Sequence, residues 1–284
     1  MIRKMYIFLN LFGTNPWQTG TSWEKSRMMR WLLNTPVILT FAHKLVGLQN
    51  SLTLKLVLAG YGKHVNSLSL IRLGTSYGGW FIPEKVLEAN QNSVVVSVGL
   101  GHDTSFDVEM VKNGWHLIGL DPLLECCELA KKELAPYGNF AILNYGLASW
   151  SGTQTFYAPK VAGHDSYSTI NAQQSSNPVS VSFPVISLED VFRRYTILSG
   201  ADFKILKMDI EGAELDILNT SMDYVNRFDF LAVEMDFLSL IPFMSLITRL
   251  KRIHAARNIL AELERDLRWR LVRTENFNFF WSKG

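Results

Sequence analysis

The sequence predicts an α/β fold whose core is a doubly wound, mostly parallel sheet. From Ser93 onward, short apolar runs rich in β-branched and aromatic residues alternate with segments of helical spacing, and a few turn residues separate each pair. Buried parallel strands joined by crossover helices produce this alternation. With 284 residues, of which 48% are hydrophobic, the chain can bury a sizeable core around such a sheet. The runs are Val94–Val98, Leu117–Leu120, Phe140–Leu143, Phe203–Met208 and Phe228–Met235.

The end of the chain predicts a different connection. A helix is expected from about Leu238 to Arg265, and two apolar runs follow it, at Arg268–Thr274 and Asn278–Trp281. Only three residues separate these two runs, which permits an antiparallel hairpin but is too short for a crossover helix. An antiparallel hairpin should therefore close the sheet.

Charge divides the chain into an extension and a sheet domain. Residues 1–83 contain nine Lys and Arg residues against one acid, Glu24, and show helical spacing in Met28–Leu33 and Val37–Leu58. Residues 84–248 contain 10 basic and 21 acidic residues, although the formal net charge of the whole chain is only +2. We therefore expect a basic, mainly helical N-terminal extension over residues 1–83 and the sheet domain over residues 84–284.

Cysteine usage and hydropathy bear on the cellular location. Cys126 and Cys127 are adjacent in a helical segment, a spacing that suits neither a structural disulfide nor a metal site. The apolar runs near the start of the chain are all interrupted before they reach the roughly 20 residues that a membrane span needs. These features favour a cytoplasmic protein, either in solution or bound peripherally to a membrane.

The composition of residues 1–83 suits a contact outside the sheet domain. Cationic segments with Trp17, Trp23 and Trp31 fit an anionic membrane surface or a protein partner. The alternative is that the helices of this extension pack on the sheet domain. Nucleic acid is not an expected partner, because the basic residues are dispersed and the total charge is near neutral.

The first predicted strand runs into a glycine-containing loop and then into a helix. Gly99 and Gly101 permit a ligand to approach the backbone, and the N-terminus of the helix near Thr104 favours negative charge. The third glycine of a dinucleotide-binding loop is missing, and Asp103 stands in that region, where it would repel a pyrophosphate. A carboxylate there suits an ammonium group, such as that of S-adenosylmethionine. The alternative is a tight strand-to-helix turn without a ligand.

Asp121 follows the second predicted strand, 22 residues after Gly99. An acid at about this separation from a glycine loop binds the ribose hydroxyls of nucleotide cofactors, which is our preferred interpretation. Asp121 also fits an N-cap for the next helix, where Pro122 would occupy the first turn. The two roles are compatible.

Carboxylates also follow two later strands of the predicted sheet. Asp209 and Glu211 come after one of these strands, and Glu234 and Asp236 lie at the end of the next. The carboxyl ends of parallel strands form the ligand crevice of an open sheet, so we expect these acids to lie together. Asp209, Glu234 and Asp236 could hold Mg²⁺, and the alternative is a metal-free site in which one of them is a general base.

The glycine loop, the strand end at Asp121 and the segment around Asp209 together resemble the FkbM-type S-adenosylmethionine-dependent methyltransferases. The resemblance extends over roughly residues 75–240. The most specific segment is KMDIEGAE at residues 207–214, supported by VISLED at residues 185–190 and GGWFIP at residues 78–83. The resemblance implies a Rossmann-like class I methyltransferase fold and S-adenosylmethionine as the cofactor. It also implies methyl transfer to oxygen, on substrates that are often sugar or polyketide hydroxyls.

The chain departs from the family pattern at Ser97, where an acid commonly opens the first loop. Asp103 and Asp107 are then the substitutes that could hold the methionine ammonium group. The expected cofactor-binding residues are Gly99, Gly101, Asp103, Ser105, Asp107 and Asp121. The expected catalytic residues are Asp209, Glu211, Glu234 and His164.

His164 belongs to an irregular, polar stretch over residues 159–182 that is rich in Ser, Asn and Gln. An insert of this length in a compact domain is more often a functional lid than a plain connection. We expect it to cover a polyhydroxylated acceptor, such as a sugar, with His164 within reach of the substrate. His102 lies inside the glycine loop and is expected to shape that loop.

Two other classes of function stay open from the sequence. One is an NAD-dependent oxidoreductase, which the missing third glycine and the acidic crevice disfavour. The other is a non-catalytic binding protein that uses the basic extension. The sequence favours an O-methyltransferase that acts on a hydroxyl of a sugar, a glycan or a similar polyhydroxylated small molecule.

Overall fold

A computed structural model describes residues 36–61, 68–87, 92–159, 166–169, 179–239 and 245–283. The strands in these ranges are β1 (Leu70–Leu73), β2 (Trp80–Pro83), β3 (Ser93–Val98), β4 (His116–Leu120), β5 (Phe140–Leu143), β6 (Gly146–Leu147), β7 (Gly152–Tyr157), β8 (Ser180–Ile186), β9 (Phe203–Met208), β10 (Phe230–Glu234), β11 (Trp269–Glu275) and β12 (Asn278–Lys283). The helices are α1 (Pro36–Leu58), α2 (Glu84–Leu87), α3 (Ser105–Lys112), α4 (Leu124–Leu134), α5 (Leu188–Arg194), α6 (Ile197–Gly200), α7 (Glu214–Thr220), α8 (Met222–Val225), α9 (Asp236–Ser239) and α10 (Leu246–Ala261), and a π-helical turn (Glu262–Asp266) follows α10.

The main sheet has seven strands in the order β5-β4-β3-β9-β10-β12-β11. Strands β5, β4, β3, β9 and β10 are parallel, whereas β12 runs antiparallel to both β10 and β11. This arrangement confirms the predicted mostly parallel α/β sheet with a closing antiparallel hairpin. Because β3 and β9 are neighbours in space but distant in sequence, the chain reverses its direction of winding between them, and ligands bind at such a point.

Apolar side chains cover both faces of the sheet. Phe106, Met110 and Trp115 are buried on one face, where Val95 of β3 and Leu117 of β4 also lie. The other face buries a larger cluster in which Trp269 and Trp281 are at most 1% exposed. β3 is buried along its whole length, as expected for a central parallel strand. The packing on both faces holds the ends of the strands in fixed positions.

The N-terminal part of the described chain differs from the sequence expectation at one place. The predicted helix over Val37–Leu58 is present as α1, but residues 70–83 form an antiparallel hairpin, β1–β2, that the sequence analysis did not predict. The two strands have four residues each, too few for an alternating pattern to be visible. The segment Met28–Leu33 lies outside the described residues, as do Trp17, Trp23 and Trp31.

Two further expectations about elements were wrong in their boundaries. The stretch 159–182 does not stay irregular to its end, because β8 begins at Ser180 and pairs with β7 in a small second sheet, β6-β8-β7. The first residues of β8 are exposed, so no buried alternation marks the strand. The helix expected from about Leu238 instead starts at Leu246, where the Ser245 hydroxyl accepts a hydrogen bond from the Thr248 N–H and caps it.

Both cysteines are buried thiols that are not joined in a disulfide. Within the described ranges, no helix combines the length and the apolar character that crossing a membrane requires.

Candidate functional site

The carboxyl ends of β3, β4, β9 and β10 open into a cleft of about 420 Å³. Its lining includes the glycine loop after β3, the acid after β4 and the acids after β9 and β10. Gly99, Gly101, Asp103, Asp121, Asp209, Glu211, Glu234 and Asp236 all contribute to it. The structure therefore brings together eight of the residues that the sequence analysis selected.

The glycine loop is held by Asp121. The N–H groups of Leu100 and Gly101 donate to Asp121 Oδ2 at 3.0 and 3.1 Å, and the Leu123 N–H donates to Oδ1 at 2.8 Å. Burial raises the pKa of this carboxyl, against the lowering effect of the three N–H groups and of the Lys207 charge. Asp121 thus fixes the loop and the start of α4 at the same time.

Asp103 connects the glycine loop to the β1–β2 hairpin. Its carboxylate accepts hydrogen bonds from the Thr75 hydroxyl, from the Gly78 N–H at 3.2 Å and from the Ser105 N–H at 3.1 Å. Partial burial acts to raise the pKa of Asp103, but these hydrogen bonds outweigh it and hold the pKa below its ordinary value. The β1–β2 turn is therefore fastened to the mouth of the cleft by an ionised carboxylate.

Two of the expected cofactor contacts lie outside the cleft lining. Ser105 faces the β1–β2 hairpin, where its hydroxyl accepts a hydrogen bond from the Thr75 N–H at 2.9 Å. Asp107 is 2% exposed and lies behind the glycine loop, near Ser97 and Lys207. Burial raises its pKa to about 6 although the Lys207 charge and the Ser97 hydroxyl act in the other direction. Both residues support the loop from positions that do not reach the open cleft.

Three carboxylates converge at the ends of β9 and β10. Oxygen atoms of Asp209, Glu234 and Asp236 lie within 4.8 Å of one another. Burial and the charge of Asp209 raise the pKa of Glu234 to about 8, and burial together with the charges of Glu234 and other nearby acids raises that of Asp236 to about 10. Crowded, partly desolvated carboxylates cannot all ionise at neutral pH, so this end of the cleft retains protons.

Lys207, the first residue of the KMDIEGAE segment, is a further functional candidate, for which no role was predicted from the sequence. Its ammonium group lies 3.8 Å from Asp209 Oδ2 and donates to the Gly99 carbonyl oxygen, while only 5% of the residue is exposed. One buried cation therefore contacts both the glycine loop and the acid cluster. A lysine inside an otherwise apolar strand was the available signal, because such a residue needs a partner when it is buried.

Glu214 lies beneath the acid cluster at the start of α7. Its Oε1 atom accepts hydrogen bonds from the N–H groups of Ile210 and Gly212, at 3.1 and 3.0 Å, and the residue is fully buried. Burial, and to a lesser degree the charge of Asp209, raise the pKa of Glu214 to about 8. The backbone of this turn is unusual, since Glu211 has a φ of 55° and is followed by Gly212 at 102°. Glu214 thus holds the turn that presents Asp209 and Glu211.

Glu214→Gln is expected to change how stability depends on pH. The folded state raises the pKa of Glu214 above its ordinary value of 4.5, so the folded protein keeps a proton that the unfolded chain releases. This residue therefore lowers the free energy of unfolding as the pH rises from about 4.5 to about 8. The variant lacks this contribution, so its stability relative to wild type should increase across that interval by a few kcal/mol. Urea unfolding at both ends of the interval measures the difference, and a pH-independent difference would contradict the assignment.

The opposite side of the cleft is formed by the turns of two hairpins. Tyr77, which is 89% exposed, lies in the β1–β2 turn, and Asn276 and Asn278 lie at the β11–β12 turn. Arg72 and Glu275 form an ion pair that joins the two hairpins. This wall presents a phenol ring and two carboxamides to the cleft. Short strands and turns carry no sequence pattern that identifies such residues.

The polar stretch after β7 is described at residues 158–159, at residues 166–169 and from residue 179 onward. Ser166 and Tyr167 line the cleft, and the Ser168 hydroxyl donates to the Glu211 carbonyl oxygen. His164 lies outside the described residues. His102 lies at the rim of the cleft, where its Nε2 atom is 4.0 Å from Glu125 Oε1.

Comparison with known structures gives matches of low sequence identity. A fibrillarin/Nop5p complex matches at 9% identity over 69% of this chain and 74% of that chain, with a TM-score of 0.36. The methyltransferase domain of METTL16 matches at 13% identity over 84% and 81%, with a TM-score of 0.34. The human methyltransferase 10 domain containing protein matches at 12% identity over 83% and 95%, with a TM-score of 0.33. Among curated proteins, none matches the chain significantly.

The sequence family gives a more direct result. The model of the methyltransferase FkbM domain matches residues 87–264, which is more than half of the chain and includes β3, β4, β9 and β10 with the loops that line the cleft. The seven-stranded sheet is the Rossmann-like class I methyltransferase architecture that the resemblance implied. The chain therefore belongs to the FkbM family of S-adenosylmethionine-dependent methyltransferases.

Proposed function

We propose that the protein transfers a methyl group from S-adenosylmethionine to a hydroxyl oxygen of a sugar, a glycan or a similar polyhydroxylated molecule. The observation that carries this proposal is the single cleft in which the glycine loop and Asp121 lie beside the Asp209, Glu234 and Asp236 carboxylates. A nucleoside cofactor site and a set of proton acceptors are then adjacent. Methyl transfer to a hydroxyl requires both.

In this proposal the cofactor lies along the ends of β3 and β4. Gly99 and Gly101 allow its close approach, and Asp121 accepts hydrogen bonds from the ribose hydroxyls with the lone pairs that its backbone partners leave. Asp103 is the nearer candidate for the methionine ammonium group, because it lines the cleft and is ionised. Ser105 and Asp107 have a supporting role, since Ser105 faces the β1–β2 hairpin and Asp107 is buried behind the loop.

The reaction needs one proton acceptor and an aligned sulfonium. The acceptor oxygen attacks the methyl carbon, the carbon–sulfur bond breaks with its electron pair going to sulfur, and the hydroxyl proton passes to a carboxylate. Asp209 is the proposed acceptor, and Glu234, whose raised pKa keeps it protonated at neutral pH, lies beside it with Glu211 at the same edge of the cleft. The buried Lys207 ammonium stabilises the carboxylate that is ionised before the transfer.

The alternative is a Mg²⁺ ion at the same three carboxylates, because hard cations take carboxylate oxygens. Asp209, Glu234 and Asp236 would hold it, and it would polarise the acceptor hydroxyl. We favour the metal-free base, and expect the methyltransferase rate to be unchanged after treatment with EDTA. Loss of activity that Mg²⁺ restores would contradict the metal-free base and assign the three carboxylates to a metal.

The acceptor is proposed to lie against the wall formed by the two hairpin turns. Carboxamides such as those of Asn276 and Asn278 both donate and accept hydrogen bonds, which matches vicinal hydroxyls. The exposed ring of Tyr77 provides an apolar face for the C–H groups of a sugar. The polar stretch 159–182 remains a proposed lid, with His164 as a residue that reaches the acceptor. A small molecule or a glycan, and not nucleic acid, is the proposed partner.

The proposal is tested by bound cofactor and by transfer of label. Mass spectrometry of the purified protein should detect S-adenosylhomocysteine, and a thermal shift should appear with S-adenosylhomocysteine but not with NAD. Transfer of a labelled methyl group should then be measured on a panel of monosaccharides and glycans. A shift with NAD alone, or labelling of nucleic acid but of no polyol, would overturn the proposal.

Asp121→Ala is expected to weaken cofactor binding. The change removes the acceptor of three backbone N–H groups and of the ribose hydroxyls, which should cost about 1 to 3 kcal/mol of S-adenosylhomocysteine affinity. Calorimetry measures this loss, and Asp223→Ala, on the exposed side of α8, is the matched control. Unchanged affinity in the Asp121 variant would exclude the ribose contact.

We also propose the division of the chain into a basic extension over residues 1–83 and a methyltransferase domain over residues 84–284. The family match begins at residue 87, which supports a boundary close to this position. The proposed location is the cytoplasm, in solution or peripherally at a membrane.

A further inference from the structure

Helices α1 and α10 pack against each other next to the sheet domain. The Arg257 guanidinium of α10 donates to the carbonyl oxygens of Leu56 and Ala59 at the end of α1, at 2.7 and 2.8 Å. It also lies 5.1 Å from the centroid of the Tyr61 ring. These contacts satisfy carbonyl groups that a helix end leaves open, and they fix α1 on α10. The exposed sides of the two helices are called the α1–α10 surface below.

The α1–α10 surface is unusually apolar. On α1, Leu48, Leu52 and Leu56 are 57%, 51% and 55% exposed, and their spacing of four residues places them on one side of the helix. On α10, Leu246, Ile247 and Leu250 are 69%, 69% and 56% exposed. Six of the thirteen large apolar side chains that are exposed in the described ranges thus lie on two helices in contact. Such clustering marks an interaction site, whereas single exposed leucines do not.

The same two helices carry positive charge only. Residues 36–61 and 245–261 contain no Asp or Glu, although residues 84–248 contain 21 acids against 10 basic residues. Lys44 and Lys55 are exposed on the leucine side of α1, and Lys251 is exposed beside Leu250 on α10. The surface therefore alternates leucines with lysines and lacks the acids that would repel a negatively charged partner.

We propose that the α1–α10 surface binds an anionic lipid bilayer peripherally, with the six apolar side chains in the interface. Lysines that flank an apolar stripe extend their ammonium groups to lipid phosphates while their methylene stems stay on the apolar surface. Each such cation strengthens binding to an anionic leaflet, and salt weakens it. This function is separate from methyl transfer. Membrane binding through this surface would place the cleft of the enzyme near a bilayer without a membrane-spanning helix.

The test uses the full chain and sedimentation with lipid vesicles. We expect binding to vesicles of phosphatidylcholine that contain about 30% phosphatidylglycerol, and a partition coefficient about tenfold lower on phosphatidylcholine alone or at high salt. Lys44→Glu/Lys55→Glu/Lys251→Glu should lower the coefficient by at least about tenfold, and Leu48→Ser/Leu52→Ser should lower it to a similar degree. Melting temperature and S-adenosylhomocysteine affinity should stay those of the wild type, because all five side chains are exposed and none lines the cleft.

Leu124→Ser/Lys132→Glu is the matched control. It changes an exposed leucine and an exposed lysine on α4, which packs on β5 at the other edge of the sheet, and it should bind vesicles as the wild type does. Absence of binding, equal binding to neutral vesicles, or wild-type binding by both surface variants would overturn the proposal. The proposal would also be overturned if light scattering showed a wild-type dimer that the Leu48→Ser/Leu52→Ser variant does not form. The leucines would then belong to an interface between two copies of the chain.

Discussion

Asp209→Asn should lower kcat with the true acceptor by about 10²- to 10⁴-fold, the range expected for loss of a group that handles the proton in the transition state. Asp209 lies within 4.8 Å of Glu234 and Asp236 and 3.8 Å from the Lys207 ammonium. The amide cannot accept the proton, and it also removes the negative charge that Lys207 contacts. A single-turnover assay with labelled S-adenosylmethionine measures the effect on the chemical step.

Cofactor binding should survive this change. The affinity for S-adenosylhomocysteine should stay within about threefold of wild type, because Asp209 is proposed to act on the acceptor proton and not on the cofactor. The loss of rate would then arise in the transition state and not in ground-state binding. Asp223→Asn, an isosteric change on the exposed side of α8, is the control and should leave both quantities unchanged. Wild-type kcat in Asp209→Asn, or a parallel loss of affinity and rate, would show that Asp209 is not the group that acts on the proton.

The prediction of the acid cluster from sequence was possible because it depends on topology alone. Asp209 follows β9 and Glu234 ends β10, and adjacent parallel strands must end at the same edge. Neither an exact side-chain position nor a partner is needed for that step. Asp121 was selected by its separation of 22 residues from Gly99, and the pairing of β3 with β4 brings the two strand ends together.

What could not be predicted depends on contacts between segments that are distant in the chain. The role of Asp103 is set by Thr75 and Gly78, which arrive from a hairpin whose four-residue strands show no alternating pattern. The role of Lys207 depends on β3, which places the Gly99 carbonyl oxygen next to the Lys207 ammonium group. The position of Asp107 behind the loop, and not in the cleft, follows from the packing of α3, which spacing does not reveal.

The sequence pattern also failed to predict strands that are buried on one side only or are largely exposed. β8 begins with exposed residues, and three of the six residues of β7 are exposed, so the small sheet they form resembles a polar loop in sequence. By contrast, β3 is buried throughout and its run of four valines and two serines is readily identified as a strand. Burial, more than strand propensity, decided which strands could be predicted.

Of the glycine-to-alanine substitutions in the cleft, Gly99→Ala is expected to destabilise the protein most. Gly99 has a φ of 77°, and a Cβ atom there would overlap the carbonyl oxygen of Asp209. The overlap is with backbone, so no side chain can move aside, and the ends of β3 and β9 would have to separate. The free energy of unfolding should fall by about 3 kcal/mol or more, and the binding of S-adenosylhomocysteine should be lost with it.

Gly114→Ala separates the two causes of this effect. Gly114 also has a left-handed backbone, with a φ of 86°, but a Cβ atom added there meets nothing within 4 Å. Its replacement should therefore cost only the backbone strain, about 1 kcal/mol, and leave cofactor affinity unchanged. Urea unfolding and calorimetry on both variants measure the contrast. If the two alanines cost the same, the close contact between the glycine loop and Asp209 does not contribute to the site, and the loop owes its shape to backbone conformation alone.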